Sequence, residues 1–308
     1  MKITDIQNQY RSGAIKKSEY IQAMYEKHNQ LFEYTDILRH TDIENITITS
    51  HGIVWTTRPH RLRWLTPKAD KRSAPFEILN FAQYEPEYFS MMCHLLEPGM
   101  SVFDIGANIG WYSLNFSKAV SDLHVCAFEP VPGTYLELEN NIQLDTGMRV
   151  KSYNLGLSDR AGKLTFFVDP ELSTSASAVN ITEAANAHET ECALETMDNF
   201  CKQYGAKPDF IKCDVEGAEL MVYRGGKYTL QTHKPIVCTE MLRKWAAKYN
   251  YHPNDIITFF KEMGYQCFFI QNDYLAPITF VDETTVETNF IFLHRERHAD
   301  KIKTWVKS

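Results

Sequence analysis

The chain has 308 residues, 44% of them hydrophobic and 13% aromatic, and a formal net charge of -7. That length suits one large α/β domain plus an extension, and the hydrophobic share indicates a substantial core rather than disorder. The acidic balance argues against a nucleic-acid binder, and no apolar run approaches a membrane span.

The start, Met1-Lys2-Ile3-Thr4-Asp5, lacks the apolar stretch of a signal peptide. The 7 cysteines are scattered with no C-x-x-C pair, so free thiols and a cytoplasmic setting are expected, and zinc is not.

Residues 18–33 place apolar groups at Ile21, Met24, Tyr25, Leu31 and Phe32, close to helical spacing. Residues 46–49 and 53–57 read as two strands around a His51-Gly52 turn. Arg58, His60, Arg61, Arg63, Lys68, Lys71 and Arg72 follow. They read as a solvated connector, with an anion-attracting surface as the alternative. The character changes at Ala74-Pro75. Residues 1–73 are therefore set apart as a helix and β-hairpin extension, and 74–308 as the main domain.

Within the main domain, Met91, Met92, Leu95 and Leu96 mark a helix that Glu97-Pro98-Gly99 ends. Strand and helix patterns then alternate. Residues 124–128 form a strand, and Tyr135, Leu138 and Ile142 share a helical face. Strands are expected at 149–157, 163–168, 209–214 and 235–240. Helices are expected from 219 and over 254–263, the latter ended by Gly264. Residues 265–270 and 289–293 are strands with no clear helix between them, which implies an antiparallel pair. The sheet is thus mostly parallel with one antiparallel strand.

Two stretches carry the chemistry. In Asp104-Ile105-Gly106-Ala107-Asn108-Ile109-Gly110 a strand runs into a glycine turn and a helix start, an arrangement that holds a nucleotide-type cofactor. The order D-x-G-x-N-x-G departs from the dinucleotide fingerprint G-x-G-x-x-G. A carboxylate at Asp104 would repel a pyrophosphate but can bind an ammonium group. S-adenosylmethionine (SAM) therefore suits this turn better than NAD. Glu129 ends the next strand, placed to accept both ribose hydroxyls. In Ile211-Lys212-Cys213-Asp214-Val215-Glu216-Gly217-Ala218-Glu219 a buried strand delivers Asp214 and Glu216 to the sheet's carboxyl edge. Lys212 is their natural partner, and an internal ion pair with a helix cap is the plainer reading.

Residues D-I-G-A-N-I-G-W-Y-S from 104, F-E-P from 128 and I-K-C-D-V-E-G-A-E from 211 resemble the FkbM family of SAM-dependent methyltransferases. So does E-I-L-N-F-A-Q-Y-E from 77, and the resemblance spans roughly 74–293. It implies a class I, Rossmann-like, mostly parallel seven-stranded sheet with one antiparallel strand. It also implies O-methylation of a hydroxyl on a sugar, glycolipid, glycan or secondary metabolite. Carried across, Asp104, Gly106, Asn108 and Gly110 frame the methionine end, Glu129 the ribose, and Ser158 with Asp159 the adenine. Asp214 and Glu216 line the transfer pocket.

A hydroxyl acceptor calls for a general base. Glu216 and Asp214 come first, then Glu240 at the next strand end, and His188 in a presumed loop. A divalent metal on Asp214, Glu216 and Glu240 is a less favoured alternative. The loop 173–180 is a possible cover for the acceptor. Residues 1–73 are an acceptor lid or a homodimer contact. The alternatives are an N-methyltransferase on an amino sugar or amine, a non-catalytic SAM-binding scaffold and, further off, an NAD oxidoreductase.

Overall fold

The computed structural model describes residues 1–307 apart from 67, 69, 146 and 170–186. Helices α1 (Ile3–Arg11) and α2 (Lys17–Asn29) meet through stacked Tyr10 and Tyr20 rings. A 3-10 turn leads to α3 (Glu33–Arg39). The helical spacing in 18–33 is real, but α2 buries nothing, and Ile21, Tyr25, Leu31 and Phe32 stay exposed.

Next comes an antiparallel sheet in the order β1 (Ile43–Thr49), β2 (Gly52–Thr57), β3 (Leu62–Leu65). The β1–β2 hairpin turns where expected, whereas β3 runs through the presumed basic connector. Its Leu62 and Trp64 are buried, and its flanking cations are engaged. Arg61 pairs with Glu44, Arg63 with Asp145 and Arg72 with Glu77, while Arg58 donates to the carbonyls of Leu38, Thr41 and Ile43.

This sheet packs on the main domain. Trp55, Leu62 and Trp64 form one apolar cluster with Ile109 and Leu114 of the glycine-turn region. Buried Asn141 clips the two together: its Oδ1 accepts from Leu65 N at 2.7 Å and its Nδ2 donates to Ile109 O at 3.0 Å. Asn141→Ala would strand both backbone groups, so a loss of about 1–3 kcal/mol is expected in urea unfolding at unchanged m. A variant as stable as the parent would show that this side chain does not couple sheet and turn.

The main domain opens with α4 (Ala74–Phe81) and α5 (Pro86–Leu95), each starting on a proline within its first turn. Then follow β4 (Ser101–Ile105), α6 (Trp111–Ala119), β5 (His124–Phe128), α7 (Pro132–Leu144) and β6 (Val150–Tyr153). A small sheet in the order β7 (Gly156–Leu157), β9 (His188–Glu195), β8 (Gly162–Val168) comes next. The single strand expected over 149–157 is thus two, in different sheets, and His188 lies in a strand rather than a loop.

After α8 (Met197–Tyr204) come β10 (Phe210–Cys213), α9 (Glu219–Gly225), α10 (Lys227–His233), β11 (Ile236–Glu240), α11 (Arg243–Lys248) and α12 (Pro253–Glu262). The chain closes with β12 (Tyr265–Gln271), β13 (Tyr274–Ile278), β14 (Asn289–His294) and α13 (Ala299–Trp305).

The central sheet reads β13-β12-β14-β11-β10-β4-β5-β6. Strands β6, β5, β4, β10 and β11 are mutually parallel, and β14 inserts antiparallel between β11 and β12. This is the Rossmann-like class I methyltransferase arrangement that the motifs implied, with one strand more than expected. The addition, β13, folds back on β12 through Asn272-Asp273, both at positive φ. Such a two-residue turn needs left-handed backbone, which Asn and Asp tolerate best. In β10 all four residues are buried, and in β4 four of five are. Helices cover both faces of a parallel sheet, so its strands read as continuous apolar runs. From β4 the chain moves to β5 and β6 on one side and later to β10 and β11 on the other. Such a reversal opens a crevice at the carboxyl ends of β4 and β10.

Candidate active site

Gly106, at φ 79, closes β4. A Cβ there would lie 1.9 Å from the Asp214 carbonyl oxygen, so only glycine lets the two motif loops touch. Gly106 N and Ala107 N donate to the Phe128 carbonyl at 3.0 and 2.9 Å, and Asp214 N donates to Ile105 O at 3.0 Å. The turn is therefore braced from both neighbouring strands. Asn108 takes φ 50, and its Oδ1 accepts from Ile109 N. Gly110 caps α6 at φ 92, where a Cβ would press on Leu138 and Leu114. Gly110 serves packing and does not line the cleft, unlike Gly106 and Asn108.

A cleft of about 210 Å³ opens above this turn. Glu129 stands in its wall, with Oε2 accepting from Asn108 N at 3.0 Å and Oε1 from Val131 N at 2.9 Å. Each oxygen keeps a lone pair for a ligand hydroxyl. Burial pushes its pKa up to about 7, against the pull of the two N–H donors. Ser158 and Asp159 line the same cleft, beside apolar Phe128, Leu157 and Phe166.

Asp104 is elsewhere. Its side chain is 0% exposed and lines neither this cleft nor the chamber beside it. Its Oδ2 accepts from Ser113 N at 3.0 Å and Ser113 Oγ at 2.6 Å, while Oδ1 has no hydrogen bond. Direct contact between Asp104 and a ligand ammonium is closed in this geometry. Lys212 Nζ lies 3.9 Å from Asp104 Oδ1 and 3.3 Å from Asp214 Oδ2, over the Tyr112 ring. Burial alone would lower the Lys212 pKa, but Asp214 and Asp104 outweigh it and hold the ammonium charged. Burial raises Asp104 despite Lys212. The ion pair expected at Lys212 thus exists and reaches both motifs.

A second chamber of about 390 Å³ adjoins the cleft and shares Gly106, Asn108, Asp214 and Glu216 with it. Glu240 and Lys212 line this chamber only, with Tyr84 and Trp111 as aromatic wall. Glu216 sits at φ 54, a left-handed conformation that costs a non-glycine residue about 1–3 kcal/mol. Burial and the nearby Asp214 raise its pKa well above the carboxylate range, and the same two causes push Glu240 up to about 10.

Besides Glu77, which Arg72 pairs, two acids at the site are not singled out by the sequence. Glu85, the N-cap of α5, lines the second chamber and accepts from the Tyr112 hydroxyl. In the sequence it closes E-I-L-N-F-A-Q-Y-E just before Pro86, which hints at a helix start and not at a site role. Glu219 braces the turn that carries Glu216. Its Oε1 accepts from Val215 N and Gly217 N at 3.0 and 3.1 Å, and its Oε2 from the Tyr251 hydroxyl at 3.1 Å. His188 is exposed on β9 and lines neither cavity. The loop 173–180 lies outside the described residues. Among the described residues, no three His, Cys, Asp or Glu side chains converge as metal ligands, and no helix is long and apolar enough to cross a membrane.

Residues 104–267 match the family model described as the methyltransferase FkbM domain. A protein of Sordaria araneosa, methyltransferase sdnD, is 30% identical over 153 residues, 40% of this chain and 59% of that protein. The hexuronic acid methyltransferase AglP of Haloferax volcanii is 29% identical over 148 residues, 48% of this chain and 59% of that protein. The chain therefore spans 59% of the length of these curated relatives. A methyltransferase FkbM structure from Methylobacillus flagellatus aligns at TM-score 0.39 and 19% identity, over 70% of this chain and 53% of that one. The family match covers more than half of the chain and contains both motif loops that build the cleft, and the chain belongs to the FkbM methyltransferase family.

Proposed function

We propose that the protein transfers a methyl group from SAM to a hydroxyl of a sugar, glycan or secondary-metabolite acceptor. The observation that carries this reading is the meeting of two cavities at Gly106, Asn108, Asp214 and Glu216. One has the anchored Glu129 of a ribose site, and the other is polar and acid-lined. The name of the Haloferax volcanii relative, a hexuronic acid methyltransferase, supports a sugar acceptor as a class and does not extend to the charge of this chain's acceptor. Bound SAM supplies an electrophilic methyl on a sulfonium sulfur and leaves as S-adenosylhomocysteine.

In this proposal Gly106 and Asn108 hold the methionine end, Glu129 the ribose, and Ser158 and Asp159 the adenine. Asp104 and Gly110 act from beneath, through Lys212 and through the turn. Glu216, at the junction, takes the acceptor proton as the oxygen–carbon bond forms and the carbon–sulfur bond breaks. A raised pKa makes it a strong base once ionised, and a sulfonium held at the junction would favour that ionised form. Asp214, engaged by Lys212, keeps the site's charge in place, and Glu240 faces the acceptor. Residues 1–73 form the acceptor side, supported by Arg72 and Ser73 in the second chamber's wall. The exposed apolar side of α2 keeps a homodimer contact as the second reading of that segment. All 7 cysteines are unpaired, which supports a reducing, cytoplasmic setting.

The test is calorimetric titration with S-adenosylhomocysteine beside NAD, followed by labelled methyl transfer to sugar acceptors. Binding of NAD in place of S-adenosylhomocysteine overturns the reading. Binding without transfer to any acceptor favours the scaffold.

Ribose hydroxyls donate to the ionised form of Glu129, so affinity for S-adenosylhomocysteine should weaken as pH falls through about 7. The expected drop is about tenfold between about pH 8 and about pH 6. Glu129→Gln should bind more weakly throughout, with a flat profile. A wild-type affinity that ignores pH over this window would remove Glu129 from the ribose site.

A further inference from the structure

The second chamber is short of positive charge. Five carboxylates line it, on Glu77, Glu85, Asp214, Glu216 and Glu240, against two cations. Arg72 pairs with Glu77 and Lys212 with Asp214. Glu85, Glu216 and Glu240 form no ion pair among the described residues, and the pull of Lys212 and Lys244 on Glu216 is outweighed by burial and the neighbouring acids. Glu85 accepts neutral donors, the Tyr112 hydroxyl and Asn289 Nδ2. Glu216 and Glu240, both half-buried, have no donor on their carboxylates among the described residues. Burial first, and repulsion from neighbouring acids second, raise the pKa values of both groups.

Acids gathered in this way keep their protons in the absence of a cation and ionise when one joins them, so the chamber favours a cationic occupant. A metal is a poor candidate, since no three of these groups converge on one point. The sulfonium of the proposed cofactor would neutralise the junction, where Asp214 and Glu216 lie. It would leave Glu240 and Glu85, which line the second chamber alone. The missing cation is therefore extended and organic, and it arrives with the acceptor.

We propose that the acceptor bears a protonated amine held by Glu240 and Glu85, and that a neighbouring hydroxyl takes the methyl group at Glu216. This rests on the methyl-transfer reading above. The amine stays protonated between the two carboxylates, so its nitrogen has no lone pair for attack. Transfer goes to oxygen: the O–H proton passes to Glu216, the O–CH3 bond forms, and sulfur keeps the electron pair of the broken bond. The Tyr84 and Trp111 rings offer a face to the acceptor skeleton and to its cation. The same excess of acids repels an acceptor with a free carboxylate.

The test uses the full chain saturated with S-adenosylhomocysteine, and three probes with one ring and different charge: glucosamine, glucose and glucuronate. Saturation-transfer NMR ranks their affinities. Glucosamine is expected to bind about tenfold or more tighter than glucose, with glucuronate weakest. Glu240→Gln should bring glucosamine to the level of glucose while leaving affinity for S-adenosylhomocysteine unchanged, which also reports an intact fold. Equal affinities, a preference for glucuronate, or no glucosamine binding overturns the proposal. If S-adenosylhomocysteine itself does not bind, the cofactor reading fails instead, and the sugar series without it still decides the charge preference.

Discussion

Glu216→Gln is expected to lower kcat by about 10²–10⁴-fold, the usual worth of a positioned general base. Affinity for S-adenosylhomocysteine should stay within about twofold, because the proposed cofactor contacts are made by other residues. Gln keeps the shape and the left-handed backbone at position 216, so the turn braced by Glu219 persists. What it loses is the ability to accept a proton. Some turnover remains from holding the acceptor and methyl group in line.

The pH profile gives an independent reading. Burial and Asp214 raise the Glu216 pKa well above the carboxylate range. Only the ionised form is a base, so wild-type activity should fall as pH drops, on a limb above the range of an ordinary carboxylate. The variant should lack that limb. Full activity in Glu216→Gln, at every pH, would exclude Glu216 as the base and move the role to Glu240 or Asp214.

Lys212→Met carries the largest expected cost in stability, about 3–5 kcal/mol. The Lys212 side chain is only 5% exposed and is the sole ionic partner of Asp104 among the described residues. Removing it leaves a wholly buried carboxylate whose Oδ1 already lacks a hydrogen bond. Adding Asp104→Asn removes that orphaned charge, so the double variant should regain part of the loss, a coupling of about 0.5–3 kcal/mol in a double-mutant cycle.

The deficit should also depend on pH. Asp104 is raised by burial even with Lys212 present, and more so without it. A carboxyl with a folded pKa above its unfolded value gives its full stability below the unfolded pKa. That contribution is lost as pH rises toward the folded pKa. Lys212→Met should therefore be least impaired in acid and most impaired near neutrality. Urea unfolding across pH measures this, and a variant as stable as the parent at neutral pH would refute the role given to Lys212.

Much of the architecture was legible because local chemistry agreed with the fold. The apolar runs of β4, β5, β10 and β11, and the glycine turn after β4, are signals within a few residues of each other. The signals that misled were also local. The apolar spacing in α2 is helical, yet periodicity marks a face without saying what covers it. The basic run around β3 looked solvated because sequence spacing does not show that Asp145 and Glu77 meet its arginines.

At the site the division is similar. The sequence by itself determined that Gly106, Asn108, Glu129, Asp214 and Glu216 gather at one sheet edge, since parallel strands deliver their carboxyl ends to one side. It could not determine depth. Asp104 and Gly110 belong to the same motif as Gly106, but they face inward, toward Ser113 and Leu138. Only the tertiary structure brought Glu85 from before α5 against Tyr112, and Glu240 into one chamber with Asp214 and Glu216. Charge density in an enclosed volume depends on distances between elements far apart in the chain, and such distances have no counterpart in local residue pattern.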